Sequence, residues 1–294
     1  MNHAEITIRP VAAVGQSSFI NALNAAYADY FVPIYLTTQS FRDLVERESV
    51  RLDASQAALS GDEVVGTGLL GVRDLRGWIG GLGVVPASRR KGVARLLMNA
   101  LIEAGRELGL ESIQLEVITQ NEPARRLYDS LGFETLRELH VLVCREPTTQ
   151  LSANQIAPEV RISAEPPARL LPHLAMLPAA RRPWQRELEA HRAALSGLRG
   201  LAARTRLGEV VGVCLYRSDS LRHDIVDLAA TSPRVGLATA VHLLRQSPGA
   251  TFTYLNVAED DPLLPDLLQI GFQTSLSQYE MRLPLTSETR HHEP

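Results

Sequence analysis

A short basic segment, Arg89-Arg90-Lys91-Gly92, carries the clearest chemical signal in the sequence. It follows a strand-like apolar run that ends at Val85, and it precedes apolar residues at helical spacing from Val93 to Leu108. The free N–H groups at a helix start and the helix dipole together favour a bound anion. Gly92 has no side chain, so a phosphate can approach the backbone closely. The segment therefore predicts a phosphate-binding loop between a strand and a helix.

The three cations of this loop also have a less specific explanation, a solvated cationic helix start. Cations at this end oppose the helix dipole and reduce stability, so a bound anion is the simpler reason for them. A nucleotide site of the Walker type is excluded, because the chain lacks Gly-Lys-Ser/Thr.

A second segment of interest lies one predicted helix and one predicted strand later, from Asn121 to Phe133. Asn121 and Pro123 are typical of a helix start. Tyr128 falls on the apolar face of that helix, and from this position alone a core aromatic residue is the better explanation. The run Ser112–Val117 before the helix reads as a strand.

Together the two segments resemble the GNAT acyltransferases. Arg89-x-x-Gly92-x-Ala94 matches the pyrophosphate loop of that family, Arg/Gln-x-x-Gly-x-Gly/Ala, and it follows the expected Leu-x-Val-x-Pro at positions 82–86. Asn121-Glu-Pro-Ala-Arg-Arg-Leu-Tyr-Asp-Ser-Leu-Gly-Phe133 resembles the second motif of the family, in the expected order. The resemblance implies an α/β (α+β) fold, a mixed and mostly antiparallel twisted sheet flanked by helices. It also implies acetyl transfer from acetyl-coenzyme A to a primary amine by direct attack.

The resemblance further implies which residues bind the cofactor: Leu82, Val84, Val85, Arg89, Arg90, Lys91, Gly92, Val93, Ala94, Asn121 and Tyr128. The backbone N–H of Val84 is the expected donor to the oxyanion. Glycines at 80, 81 and 83 fit the bulged, splayed strand of the family, although flexible packing would explain them equally well. Asn121 is expected to hold the cofactor arm, the helix end, or both.

Two proton transfers remain to be assigned. Tyr128 occupies the position of the family's general acid, and a phenol can donate to a departing thiolate. The attacking amine must be neutral, yet an alkyl ammonium is neutral only about once per thousand molecules at pH 7. The strand Trp78–Val85 carries no acid, so Glu116 is the nearest candidate base. A paired or edge-exposed Glu116 is as good an explanation, and the base could also be a water chain or absent.

The acceptor region is marked by aromatic residues between positions 27 and 41, in a chain with 5% aromatic content. They could be core residues under a loop or the wall of an acceptor pocket. Tyr30 and Tyr35 flank a proline break and are the predicted substrate-binding residues. Asp29 indicates a cationic group nearby. A polyamine, an aminoglycoside, an amino acid, and a protein N-terminus or lysine all remain possible acceptors.

The second half of the chain is a faint copy of the first. Glu159-Val-Arg-Ile162 repeats Glu5-Ile-Thr-Ile8, and Ile270-Gly-Phe272 repeats Leu131-Gly-Phe133, with further matches in the same order. Pro233-Arg-Val-Gly-Leu-Ala238 keeps one basic residue where the first copy has three, so a polyphosphate should bind poorly there. The predicted organisation is an active domain at 1–146, a linker at 147–158, a degenerate domain at 159–285 and a disordered tail at 286–294.

Composition limits the other possibilities. The chain has 294 residues and a net charge of −3, which argues against a polyanion-binding surface. Cys144 and Cys214 fit buried hydrophobic positions better than a disulfide or metal site. We expect a cytoplasmic monomer or homodimer without nucleic-acid, membrane or metal partners. The alternatives to an enzyme are a non-catalytic coenzyme A-binding sensor and an interaction module.

Overall fold

The computed structural model describes residues 5–32, 34–148, 150, 152–219 and 221–285. The chain divides into two compact units. Unit 1 comprises the residues up to Leu136 and those from Glu280 onward, and unit 2 comprises Arg137–Tyr279. The tail predicted at 286–294 lies outside the described residues.

Unit 1 contains the elements that form the candidate site. Its strands are β1 (Ile6–Pro10), β2 (Gln56–Ser60), β3 (Glu63–Arg73), β4 (Arg76–Val84) and β5 (Ser112–Ile118). Its helices are α1 (Gln16–Tyr27), α2 (Thr38–Arg47), α3 (Val93–Glu107) and α4 (Glu122–Ser130). Strands β1 to β4 pair antiparallel in sequence order, and β5 pairs parallel to β4. The predicted mixed sheet flanked by helices is confirmed.

Helix α3 packs on the sheet through its apolar stripe. Val93 and Leu97 join Val65 and Val84 in one buried cluster. Two glycines of β3 make this close approach possible. A Cβ at Gly66 or Gly68 would come within 2.9 Å of Leu97 or 2.7 Å of Leu101.

A β-bulge lies in the glycine-rich part of β4. Gly81 has φ of +58°, a left-handed conformation that favours glycine, and the β3–β4 register shifts at this point. The Thr67 hydroxyl donates a 2.9 Å hydrogen bond to the Gly81 carbonyl and fixes the bulge. The predicted bulge is therefore present. Parallel pairing of β4 with β5 extends only to Trp78 and Gln114, so the two strands separate beyond this pair.

Local capping decides where α2 begins. We predicted Thr38 or Ser40 as its N-cap, but Thr37 has this role. The Thr37 side chain accepts from the N–H of Ser40, and the Ser40 hydroxyl accepts from the N–H of Thr37, forming a reciprocal capping box. The prediction for α4 is confirmed, because Asn121 is its N-cap and accepts from the N–H of Ala124.

The end of the chain returns to unit 1. Strand β12 (Gln273–Pro284) neighbours β5 in the strand order, and its residues from Glu280 onward belong to unit 1. The N–H of Leu285 donates to the carbonyl of Glu111 at 2.8 Å, and Leu283 packs beside Gly132. Unit 1 is therefore built from both ends of the sequence.

Unit 2 repeats the order of elements. Its strands are β6 (Glu134–Cys144, largely in unit 2), β7 (Val160–Ala164), β8 (Arg199–Thr205), β9 (Val210–Ser218), β10 (Arg222–Ala230) and β11 (Thr251–Ala258). Its helices are α5 (Ala153–Ile156), α6 (Pro167–Met176), α7 (Leu188–Ala193), α8 (Pro233–Gln246) and α9 (Leu264–Gln269). Strands β7 to β10 pair antiparallel, and β10 pairs parallel to β11, as β4 does to β5.

The unit boundaries differ from the predicted domain boundaries. The division falls before residue 146, because most of β6 pairs antiparallel with β11. The segment predicted as a linker contains α5, which is capped by Ser152 and followed by fully buried Ala157. This segment is therefore part of the packed structure of unit 2.

Among the described residues, no helix is both long and apolar enough to cross a bilayer. Cys144 and Cys214 are buried free thiols, as predicted.

Gly83 should not tolerate a side chain. A Cβ there would lie 2.8 Å from the Cβ of Ala26 and 3.0 Å from the ring of Tyr27, so Gly83→Ala must push α1 off the sheet. We expect a loss of about 1–3 kcal/mol in the free energy of unfolding, measured by urea denaturation. Gly197→Ala is the control, because a Cβ there meets no atom within 4 Å. Equal stability of the two variants would contradict the close packing of α1 on Gly83.

Candidate active site

A cleft of about 940 Å³ opens in unit 1 where β4 and β5 separate. It brings together most of the residues predicted from the sequence. Those that line it are Tyr30, Leu82, Val84, Arg89, Arg90, Lys91, Gly92, Val93, Ala94, Glu116, Asn121 and Tyr128.

Two predicted site residues lie elsewhere. Tyr35 is 80% exposed and does not line the cleft, so its predicted substrate-binding role has no support in this arrangement. Val85 is also absent from the lining. Its N–H donates to the carbonyl of Val65 at 3.0 Å, and its side chain packs against the cluster under α3.

The basic loop presents its backbone to one end of the cleft. Gly92 is the N-cap of α3 with φ of +81°, and Arg90 also has a positive φ, of +60°. In the part of the chain that the structure describes, no acceptor binds the N–H groups of Gly92, Val93 and Ala94. A left-handed non-glycine residue beside a row of unpaired N–H groups is typical of an anion-binding backbone.

The side chains of the loop differ in availability. Arg90 is exposed, and exposed Lys91 only contacts the carbonyl of Ala87, at 2.9 Å. Arg95 also lines the cleft and donates to the hydroxyl of Ser130 at 2.8 Å. Exposed hydrogen bonds of this kind are exchanged easily for a stronger, charged partner.

Arg89 lines the cleft, and its guanidinium is hydrogen-bonded within the protein. Its guanidinium donates twice to the carboxylate of Asp29 at 2.6 Å, and once each to the carbonyls of Ala26 and Val84 at 3.0 Å. Four of its five N–H groups are therefore used within the protein. Arg89 thereby ties the C-terminal end of α1 to the end of β4, and the predicted phosphate contact of its guanidinium stays a prediction.

The same ion pair explains Asp29. The sequence suggests a cationic group near this residue, and the structure shows Arg89 in that position. The hydrogen bonds from Arg89 lower the pKa of the Asp29 carboxyl. Asp29 is therefore a weak indicator of a cationic acceptor.

The backbone of Val84 points into the opening. Val85 donates to Val65, and antiparallel ladders alternate between hydrogen-bonded and non-hydrogen-bonded pairs. The pair Gly66–Val84 is therefore of the non-hydrogen-bonded type, and the N–H of Val84 is directed away from β3. Strand β5 is no longer paired there, so the N–H of Val84 is available to a ligand in the cleft.

Three tyrosines and one asparagine form another wall of the cleft. Tyr128 is 7% exposed, and burial raises the pKa of its phenol well above the ordinary range, with a smaller contribution from Tyr30. The phenol is therefore protonated at neutral pH and can donate. Asn121 donates to the hydroxyl of Tyr30 at 3.4 Å while its oxygen caps α4. Tyr27 donates to the carbonyl of Leu82 at 3.0 Å and fixes the bulged strand.

Glu116 lies at the floor of the cleft, beyond the last β4–β5 pair. Its Oε2 accepts a 2.8 Å hydrogen bond from the indole Nε1 of Trp78. Sequence reasoning missed Trp78 and Tyr27. Gly80 could have indicated the position of the Trp78 ring, because it lies two positions later on the same face of β4 and leaves room for a large ring.

The corresponding region of unit 2 is filled by charged side chains. Pairing of β10 with β11 ends at Ile225 and Tyr254, and a bulge follows in β10. Asp227, fully buried, accepts from Arg182 at 2.6 Å and from Arg186 at 2.8 Å. Unit 2 therefore closes its own strand separation with a buried ion network.

Further contacts complete this network. His191 Nε2 lies 3.2 Å from the Asp227 carboxylate, and Arg186 donates to the carbonyl of Asn256 and to the Tyr254 hydroxyl. Burial alone would raise the pKa of the Asp227 carboxyl. The charge of Arg186, the hydrogen bond to His191 and the charge of Arg182 outweigh burial and lower it far below the usual range.

A smaller cleft of about 300 Å³ lies at the start of α8. Its described lining contains the carboxylate of Asp261 and neither lysine nor arginine. The Ser232 hydroxyl already accepts from the N–H of Val235 there. Arg234 of α8 pairs with Glu159 and is outside the described lining, so this cleft differs from that of unit 1 in its charge.

Comparison with known proteins agrees with this geometry. The family model for the acetyltransferase (GNAT) family matches residues 20–133. Two curated relatives come from Bacillus subtilis (strain 168). "Uncharacterized N-acetyltransferase YsnE" is 38% identical over 81 residues, 26% of this chain and 54% of the relative, and "Uncharacterized N-acetyltransferase YdgE" is 43% identical over 51 residues, 17% and 32%. The chain thus spans about half and about a third of the lengths of these relatives.

Solved structures resemble the whole chain. A tandem GNAT protein from the clavulanic acid biosynthesis pathway has a TM-score of 0.68 at 14% identity, covering 96% of this chain and 99% of its own. A putative acetyltransferase from Pyrococcus horikoshii has a TM-score of 0.65 at 20% identity, covering 97% and 90%. At these identities the likeness establishes the fold.

The buried network should dominate the stability of unit 2. Asp227→Asn removes the carboxylate that Arg182 and Arg186 share, so we expect a loss of about 3–5 kcal/mol in the free energy of unfolding at pH 7. Because the pKa is lowered in the folded state, the stabilisation is present above about pH 4 and fades as the pH falls further. Urea denaturation at a series of pH values measures both effects.

The control is Glu189→Gln, which removes an exposed ion pair with Arg192 on α7 and should cost at most about 1 kcal/mol. Equal losses in the two variants, or an unchanged acid sensitivity of Asp227→Asn, would contradict the assigned role.

Proposed function

Residues 20–133 match the family model of the GNAT acetyltransferases, and on that premise we propose that unit 1 transfers an acetyl group from acetyl-coenzyme A to a primary amine. The observation that carries the proposal is the single cleft that joins an anion-binding backbone, an inward-facing N–H and a buried phenol. Each part corresponds to one requirement of the reaction.

The diphosphate of the donor binds to the backbone of the loop. The N–H groups of Gly92, Val93 and Ala94 would donate to its oxygens, since the start of α3 leaves them unpaired within the described structure. Arg90 and Lys91 would supply the positive charges. Arg89 contributes indirectly, because it anchors the loop to α1 and β4.

The chemistry takes place where β4 and β5 separate. The amine nitrogen attacks the thioester carbonyl, the N–C bond forms, and the oxyanion is stabilised by the N–H of Val84. The C–S bond then breaks, and the thiolate takes a proton from the phenol of Tyr128. Glu116 accepts the proton that the amine must lose. No covalent enzyme intermediate is required.

Unit 2 is proposed to bind no donor. Arg186 and its partners fill the gap between β10 and β11, and the cleft at α8 carries a carboxylate instead of cations. The second unit would then serve the fold, with one molecule of acetyl-coenzyme A bound per chain.

Isothermal titration with acetyl-coenzyme A tests donor binding. We expect one equivalent per chain. The double variant Arg90→Ala, Lys91→Ala should raise the Kd by about 10-fold or more, because charged hydrogen bonds contribute roughly 1.5–3 kcal/mol each. The control Arg106→Ala, Arg126→Ala removes two exposed cations of α3 and α4 outside the cleft and should leave the Kd unchanged. No binding to the folded protein would refute the proposal.

Tyr128→Phe tests the proton donor. We expect unchanged binding of acetyl-coenzyme A and a loss of about 100-fold or more in thiol release, since general acid catalysis contributes on that scale. The assay follows the free thiol with spermidine, kanamycin, an amino acid and a peptide with a free N-terminus. Tyr35→Phe is the matched control outside the cleft. Binding without thiol release in the unmodified protein would favour a coenzyme A sensor instead.

A further inference from the structure

A buried indole contacts the carboxylate at the floor of the cleft. Trp78 is 8% exposed, and its Nε1 donates to Oε2 of Glu116 at 2.8 Å. An indole can only donate and a carboxylate can only accept, so the direction of this hydrogen bond is fixed. Trp78 does not itself line the cleft, whereas Glu116 does.

The hydrogen bond lies at the point where the cleft begins. Trp78 and Gln114 form the last pair between β4 and β5, and side chains alternate along a strand. Glu116 therefore lies on the same face as Gln114 and Trp78, one step into the separated region. The indole connects the two strands at the first position where the backbone ladder no longer does.

Gly80 allows the indole to take this position. A Cβ at Gly80 would lie 2.0 Å from the ring of Trp78, so the ring lies directly over the backbone of β4. Any side chain at position 80 would displace it. The ring is packed against the strand, and the direction of its N–H is thereby set.

We propose that Trp78 is a positioning residue that holds Glu116 in place as the proton acceptor for the attacking amine. This role rests on the proposed acetyl transfer, in which Glu116 takes that proton. A hydrogen bond to the ionised carboxylate favours the ionised form and fixes its rotamer. A carboxylate offers about four lone-pair sites, and the indole bond uses one of them.

If Trp78 had a purely structural role, its substitution would give different results. Loss of its packing would lower stability without changing the pH dependence of catalysis. A positioning residue for a base alters the rate and moves the acidic limb of the pH profile, because the carboxylate is then harder to ionise. The two roles are therefore separable by measurement.

NMR can detect the hydrogen bond between Trp78 and Glu116 directly. The chain has two tryptophans, Trp78 and Trp184, so a ¹⁵N-labelled sample has two indole N–H resonances. Trp78→Phe identifies which one belongs to Trp78. In Glu116→Gln we expect the Trp78 resonance to move upfield at neutral pH, while Trp184 in unit 2 stays in place as an internal reference. An unmoved Trp78 resonance would overturn the proposal.

The catalytic role is tested with Trp78→Phe, which keeps an aromatic ring and removes the donor. We expect an unchanged Kd for acetyl-coenzyme A, about 10-fold lower kcat at neutral pH, and an acidic limb displaced to higher pH. Gly80→Ala displaces the ring without altering Trp78 itself and should reproduce these changes. A wild-type kcat and pH profile in both variants, with only lower thermal stability, would overturn the proposal.

The proposed acetyl transfer and the positioning role of Trp78 can be refuted separately. A wild-type protein that binds no acetyl-coenzyme A, or binds it and acetylates no amine, overturns the proposed function and the catalytic role of Trp78 with it. Acetylation by the wild type that is insensitive to Trp78→Phe overturns the positioning role alone. The indole resonance depends on no acceptor, so it tests the contact in either case.

Discussion

The separation of β4 from β5 is the constraint on which the rest of unit 1 depends. Within a sheet every backbone N–H and C=O has a partner on the next strand, and a gap leaves such groups unpaired. Here pairing stops at Trp78 and Gln114, and the Gly81 bulge turns the remainder of β4 away. The groups freed in this way, above all the N–H of Val84, are those that a ligand in the cleft can use.

Neighbouring side chains hold the backbone of β4 in place beside the gap. Thr67 and Tyr27 bind the carbonyls of Gly81 and Leu82, while Arg89 binds that of Val84. Three carbonyls on this stretch thus have a side-chain partner, as expected for polar groups in a packed structure. The opening is held by polar contacts from α1, β3 and the loop. Such a scaffold is already organised for a ligand before one arrives, which reduces the ordering cost of binding.

Unit 2 has a corresponding strand separation, but charged side chains occupy it. Its strands also part after a parallel pair, but Arg186 enters the gap and binds Asp227 and the carbonyl of Asn256. The gap between the strands is therefore open in unit 1, whereas buried side chains fill it in unit 2. A buried ion network is sensitive to loss of any member, because the remaining charges stay desolvated.

Local sequence signals predicted much of this. The glycines of β4 indicated the bulge, Asn121 indicated the start of α4, and the basic loop indicated the turn before α3. These features depend on neighbours in sequence. The ion pair of Arg89 with Asp29 joins residues sixty positions apart, and the motif alone could not show that this arginine already has a partner.

Other misses have the same origin. The contact between Trp78 and Glu116 spans thirty-eight positions and depends on strand register. The division after Leu136 likewise reflects a long-range contact, the pairing of β6 with β11.

The return of residues 280–285 to unit 1 has a consequence for biosynthesis. A ribosome releases the chain from its N-terminus, and domains commonly fold in that order. Here Leu285 donates to Glu111 and Leu283 packs beside Gly132, so unit 1 receives these residues only after residues 137–279 have been synthesised. The unit whose synthesis starts first is therefore completed only after unit 2 has been made.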